Sequence, residues 1–365
     1  MRKLFILLFI VLSSCSNNTI LKDHFLLEVG NSISINYDNK LTLNEISDEI
    51  NIIPVETNDS ALFENLFIAG LTENMIISYD KKALYSIDKS NGRVKTVLKK
   101  QGQGPQEYTT IFDVVLEADT IIYVYDAGKR GFLKFNFLGE FINFTKKDSI
   151  SSFRRMADGN FYVCTSPFYN NGYFTQVYDS HWNLLRNGII NDRKNIKLFM
   201  HYLNGLKFYN KKLLFRDFFG DTIYQASLEE DKPYIVLSKG KYKMPVEIAS
   251  ERSKMDEESH KYINHLDYIV VNNYCFLTYY FDNKVYFDIW SLATSNLIYR
   301  NIAGSENDFY GIPIKVNDIM LSLWVDYAKD NYIYCVVQPE DAIKIDPLLP
   351  TDTNPIIIEI KLKDN

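Results

Sequence analysis

The feature that most constrains this chain is a short unit, a polar turn followed by an alternating apolar strand, that recurs six times. Its clearest copy is residues 119–146, DTIIYVYDAGKRGFLKFNFLGEFINFTK, in which three apolar runs are separated by Gly-bearing turns. Alternating β-branched and aromatic residues suit a half-buried pleated strand, and Asp, Asn and Gly supply the positive φ of tight hairpins. The long strand of the unit opens at Met75, Ile121, Phe161, Leu213, Tyr274 and Tyr332, each after a turn such as Glu73-Asn74, Asp158-Gly159-Asn160 or Asp330-Asn331. The intervals are 46, 40, 52, 61 and 58 residues, the length of a four-stranded propeller blade. The spacing therefore predicts an all-β chain, a six-bladed β-propeller of four-stranded antiparallel blades over residues 50–365. The 15% aromatic content, with 26 Tyr and 24 Phe, agrees with β-structure.

The last blade is one strand short in its own stretch. It offers residues 320–325, 332–337 and, after a loop holding Pro339, Pro347 and Pro350, the terminal run 356–362. Residues 50–57, INIIPVET, form a β-pattern with no hairpin partner nearby. They are expected to close the ring beside 356–362, which hides the open edges. Residues 245–266 break the β-pattern. Ile248, Met255, Tyr262 and Leu266 fall on one narrow stripe of a charged segment, which predicts a helical insertion capping the propeller edge.

The first fifteen residues, MRKLFILLFIVLSSC, have a basic start at Arg2-Lys3 and an apolar run from Leu4 to Leu12. That run is too short to span a bilayer comfortably and reads as a cleaved secretion signal. Its Leu12-Ser13-Ser14-Cys15 ending resembles a bacterial lipobox, which implies lipidation at Cys15 and, with Ser16 rather than Asp following, placement at the outer membrane. Residues 1–15 are thus a lipoprotein signal peptide and 16–49 a tether with some local strand around 32–37. The partner expected first is the membrane, through the lipid. Nucleic acid is excluded as a partner by the net charge of −6 and the lack of a basic stripe.

The most distinctive short motif is Gly102-Gln103-Gly104-Pro105-Gln106-Glu107-Tyr108. Two glycines permit a tight reversal between an outer strand and the next inner one, and Pro105 forbids helix continuation. A phosphate loop would need a helix after it and a third Gly or a Lys-Ser/Thr, so the motif reads as a joint. A decayed copy lies at 304–310. Together with the Leu-Ser-Ser-Cys start, Ile53-Pro54-Val55-Glu56-Thr57 and the tail 354–363, the motif from Gly102 to Tyr108 makes the chain look like the six-bladed β-propeller lipoproteins common in Bacteroides-type bacteria, which are similar to NHL and TolB-like propellers. The resemblance implies a fold and an envelope address rather than an activity.

Candidate chemistry is sparse. Cys164, Cys275 and Cys335 remain once Cys15 is lipidated, an odd count, and they sit in second strands as buried small hydrophobes rather than disulfide or metal ligands. The five histidines form no HExxH or paired spacing, and no Gly-x-Ser-x-Gly elbow occurs, so no metal, cofactor or nucleophile is expected. Propeller ligands bind where inner strands converge on one channel mouth. The polar inner-strand residues to inspect are Asp113, Arg154, Arg155, Asn204, Lys207, Asp267 and Trp324. Two functions remain open: a binding or scaffold module for a protein, peptide or glycan partner in the envelope, or a hydrolase or lyase acting at the channel mouth.

Overall fold

The computed structural model describes residues 24–364 apart from 36–40, 59–60, 64, 118–119, 149, 166–171, 191–204, 218, 305–310, 348 and 350–352. Cys15, where lipidation is expected, the candidate Asn204 and most of the 304–310 segment lie outside the described residues.

Six antiparallel sheets stand around a channel. Their inner strands are Phe67–Leu71, Asp113–Glu117, Ile150–Arg155, Leu206–Tyr209, Asn264–Val271 and Tyr327–Lys329. Each passes through a hairpin turn into a second strand at the six repeat positions, namely Met75–Tyr79, Ile121–Asp126, Phe161–Thr165, Lys212–Arg216, Tyr274–Phe281 and Tyr332–Val337. The turn chemistry is as the sequence implies. Asn210-Lys211 and Asp282-Asn283 are paired positive-φ residues, the conformation of a two-residue turn that follows the strands' twist.

Six apolar clusters fill the seams between blades. One between the second and third blades stacks Trp182 on Phe132 and Phe161, at 4.3 Å and 4.5 Å between centroids. One between the sixth and first unites Ile53, Ile357 and Tyr334 with Ile76 and Ile87. A buried Ile, Leu, Val or Phe contributes about 1.5–3 kcal/mol, so every blade is held mainly by its two neighbours.

Closure occurs through Ser47–Pro54, which runs antiparallel to Ile356–Leu362 with Ile53 opposite Ile357. The strand is thus the outer edge of the sixth blade. Gly92 packs against it so closely that a Cβ would lie 1.7 Å from the Pro54 carbonyl oxygen, and its φ of +69° also favours glycine.

The structure corrects four expectations. Residues 320–325 do not form the inner strand of the sixth blade. Ile319–Leu323 instead pairs with Ile312–Val316 as an extra hairpin, and the inner strand is Tyr327–Lys329. The longer apolar run at 319–325 reads more strongly as a strand than the three residues Tyr327-Ala328-Lys329, so the local pattern points to the wrong segment. The insertion is not one helix but Val246–Ala249, Arg252–Glu258 and a 3-10 turn Ser259–Lys261. Leu266 lies in strand Asn264–Val271, where its burial comes from the sheet. Where local strand is expected around 32–37, Ser32 instead ends the helical turn Val29–Ser32 and donates back to the Val29 carbonyl, while 36–37 lie outside the described residues. Finally, Phe25–Leu27 adds a fifth, parallel strand to Lys232–Leu237 of the fourth blade. Segments inside 16–49 therefore pack on the ring: Leu27 and Val29 enter the seam of blades four and five, and Leu43 and Ile46 that of blades five and six.

Candidate functional site

The inner strands enclose a cavity of about 780 Å³. Its lining includes Gly159, Asn210, Lys211 and Asp330, residues of the turns joining first to second strands, so the cavity reaches that face of the ring. Asp113, Arg154, Arg155, Lys207, Asp267 and Trp324 all line it. The structure thus brings six of the seven candidates into one concavity.

Most of the charged candidates are engaged with each other across neighbouring blades. Arg154 of the third blade meets Asp113 of the second through Nη1, at 3.1 Å and 2.9 Å to the two carboxylate oxygens. Asp113 also accepts from the backbone N–H of Val114 and Phe153. Burial raises the Asp113 carboxyl, while the Arg154 guanidinium and the two N–H donors pull it back. Arg155 pairs with Glu117, which in turn accepts a 2.7 Å hydrogen bond from the Tyr123 hydroxyl. Lys207 of the fourth blade reaches Asp267 of the fifth at 3.3 Å. These ion pairs act as staples between inner strands.

What remains unengaged differs in character. Every hydrogen bond that Arg154 makes among the described residues runs through Nη1, so Nη2 and Nε have no partner there, and Arg154 lines the cavity. The hydroxyls of Tyr79 and Tyr327 line the same wall, near enough to Arg154 for its charge to act on both. Burial raises both phenols, the Asp113 carboxylate adds to the rise at Tyr79, and Arg154 opposes it. Neither hydroxyl has a hydrogen-bond partner among the described residues. Asp326 also lines the cavity. It is open to channel water yet surrounded by protein, and this desolvation pushes its carboxyl up to about 6, opposed by the Val336 N–H at 2.7 Å and the charge of Lys207.

The wall carries balanced charge. Its cations are Arg154, Arg155, Lys207, Lys211 and Lys329. Its carboxylates are Asp113, Glu117, Asp267, Asp326 and Asp330. Among the described residues no group of three His, Cys, Asp or Glu is placed to hold a metal ion. Cys164, Cys275 and Cys335 are free and buried in the sheets, with their thiols raised by burial.

Sequence reasoning missed Tyr79, Glu117, Asp326 and Tyr327. Glu117 had a signal, since it lies four residues after Asp113 in one strand and so on the same face. Asp326 and Tyr327 were hidden by the misplaced inner strand. The joint at 101–108 takes no part in the cavity. Tyr108 is buried and its hydroxyl donates to the Lys82 carbonyl at 2.6 Å, while Glu107 accepts from the Gly104 N–H at 2.7 Å.

No curated protein matches this sequence. Among solved structures, an exported protein of Bacteroides fragilis is similar, with a TM-score of 0.70 at 15% identity, covering 93% of this chain and 99% of that one. A member of the DUF4221 family from Bacteroides vulgatus follows at 0.53 and 12% identity, covering 87% and 97%. At these identities the likeness concerns the fold. Over residues 30–365 the sequence matches the family described as Domain of unknown function (DUF4934), and the chain belongs to it.

Proposed function

We propose that the protein is a cell-envelope lipoprotein, lipidated at Cys15, which becomes the mature N-terminus once the residues before it are removed, and whose propeller is a non-catalytic binding or scaffold module with its channel as the ligand site. The supporting observation is that Asp113, Glu117, Arg154, Arg155, Lys207 and Asp267 stabilise the ring by pairing across blades. Beside Asp326 and the charges of Lys211, Lys329 and Asp330, the cavity presents aromatic rings, hydroxyls and a half-used guanidinium, equipment suited to recognition. The similarity of an exported Bacteroides protein supports the address. No helix among the described residues is long and apolar enough to cross a membrane.

The tether in this reading is short. With Phe25–Leu27 docked on the fourth blade, residues 16–24 reach at most about 30 Å, which holds that rim close to the bilayer. Cys15→Ser should release the protein entirely into the soluble fraction, and wild-type processing should stop with globomycin. Unaltered membrane association of the Cys15→Ser protein would overturn the anchoring.

One observation favours the rival reading, a hydrolase or lyase at the channel mouth. Asp326, raised to about 6, has the ionisation of a general acid or base. Turnover of a screened glycan or peptide substrate that is lost in Asp326→Asn with an unchanged melting curve would establish catalysis and remove the binding-module reading.

A further inference from the structure

We propose that the channel recognises an uncharged saccharide, held between the Arg154, Tyr79 and Tyr327 donors and the exposed aromatic rings of the cavity wall. The inference rests on the channel being the ligand site and adds the chemistry of the ligand. Three observations carry it.

The first is size. About 780 Å³ is ample for a short oligosaccharide and lies within the roughly 300–1,000 Å³ typical of small-ligand sites. The second is charge. Cations and carboxylates on the wall balance, and Arg154, Arg155 and Lys207 already have carboxylate partners, so an ionic ligand gains no net attraction and would compete with the staples. A hydroxyl can accept from the unengaged Arg154 Nη2 or from a phenol and donate to a carboxylate oxygen without disturbing either pair.

The third is the placement of aromatic rings. Among the described residues the exposed aromatic side chains are Phe67, Phe144, Phe208, Tyr280 and Trp324, and three of them, Phe67, Phe208 and Trp324, line this cavity. Phe67 is 48% and Trp324 44% exposed, unusual for large rings in a walled channel. Phe67 is braced by Tyr79 at 5.5 Å between centroids, and Trp324 stands edge-on to Phe287 at 5.3 Å. A flat apolar face beside unpaired donors matches a sugar ring, which presents C–H faces and a hydroxyl rim. Carbohydrate is thereby favoured over peptide, because Arg154, Arg155 and Lys207 are already paired and the wall charges outside those pairs, Lys211 and Lys329 against Asp326 and Asp330, cancel in sign.

The test is titration calorimetry of the chain from Ser16 with neutral gluco-, galacto-, manno- and xylo-oligosaccharides, uronic-acid oligosaccharides and short peptides, up to about 10 mM to reach weak sites. Tyr79→Phe and Tyr327→Phe remove only hydroxyls without partners, so both variants should keep the parental melting curve. Tyr280→Phe, outside the cavity, is the control. The expected result is binding of a neutral sugar, weakened about fivefold by each channel variant, unchanged in the control, and insensitive to salt. Binding restricted to uronic-acid sugars, or unaffected by both channel variants, would overturn the saccharide assignment. So would silence across the neutral panel. Peptide binding that the channel variants weaken would also overturn it while leaving the binding-module reading intact. Turnover of a bound sugar would refute that reading alone.

Discussion

Arg300 offers the most direct measure of how the chain before the ring is joined to it. Its side chain is 1% exposed and that of its partner Asp288 is fully buried. The two face each other on the third and fourth strands of the fifth blade, with Nε 2.7 Å from Oδ1 and Nη2 2.6 Å from Oδ2. The same guanidinium donates to the Ser32 carbonyl and hydroxyl, at 2.5 Å and 2.8 Å, and so clasps the helical turn that follows strand Phe25–Leu27. Arg300→Met keeps the apolar stem but leaves a buried carboxylate without counter-charge, at a cost of about 3–5 kcal/mol. With an unfolding entropy of about 2.1 cal/mol/K per residue, a chain of 365 residues loses about 4–7 °C in Tm.

The pH dependence supplies a second readout. Burial already raises Asp288 and Arg300 opposes it, so removing Arg300 pushes the carboxyl further up. A raised carboxyl binds more protons folded than unfolded, so its contribution falls as pH rises from the unfolded value of about 4. The deficit of Arg300→Met should therefore be larger near pH 8 than near pH 5 by denaturant titration, and Asp288→Leu in the same chain should recover most of it. A single-variant loss under about 1 kcal/mol, with no pH dependence, would refute the reasoning.

Removing residues 16–57 should abolish cooperative unfolding, because Ser47–Pro54 is the outer strand of the closing blade, and retention of the parental melting temperature would defeat the closure. Ile53→Ala alone should cost about 2–4 kcal/mol by denaturant titration, since Ile53 is 3% exposed in the seam of blades six and one. Asp326→Asn should stabilise the protein by about 0.5–1 kcal/mol near pH 8 and not near pH 4. The carboxyl raised to about 6 penalises the folded state only as pH climbs through that value, and channel water screens the effect; equal shifts at both pH values would refute it. Tyr108→Phe should cost about 1–2 kcal/mol by the loss of the bond to the Lys82 carbonyl, and a neutral result in chemical denaturation would count against the joint at 101–108. In a chain from Ser16, Cys164, Cys275 and Cys335 should be silent to a thiol reagent until the protein unfolds.

The blade count, the six second strands and the terminal closure were legible because each depends on local alternation and turn chemistry repeated at a fixed interval. Met75, Ile121, Phe161, Tyr274 and Tyr332 open strands at the positions the turns indicate, and the fourth begins one residue earlier, at Lys212. The site was legible in part for the same reason. Inner strands follow outer ones, so polar residues such as Asp113, Arg154 and Lys207 could be assigned to the channel wall without knowing their partners.

Partners and exceptions were decided by tertiary structure. Whether Arg154 is a free cation or a staple depends on Asp113, 41 positions away and on another blade. Whether 312–323 is a blade strand or an added hairpin depends on which surface it finds, since both states bury the same alternating face. The docking of Phe25–Leu27 rests on the unpaired edge of Lys232–Leu237 and on Arg300, 268 residues from Ser32. Periodicity within a window determines the kind of element and its repeat, because turn and strand preferences are local. Which side chains remain unengaged in the channel is a property of the closed ring, because only there do six separate strands share one wall.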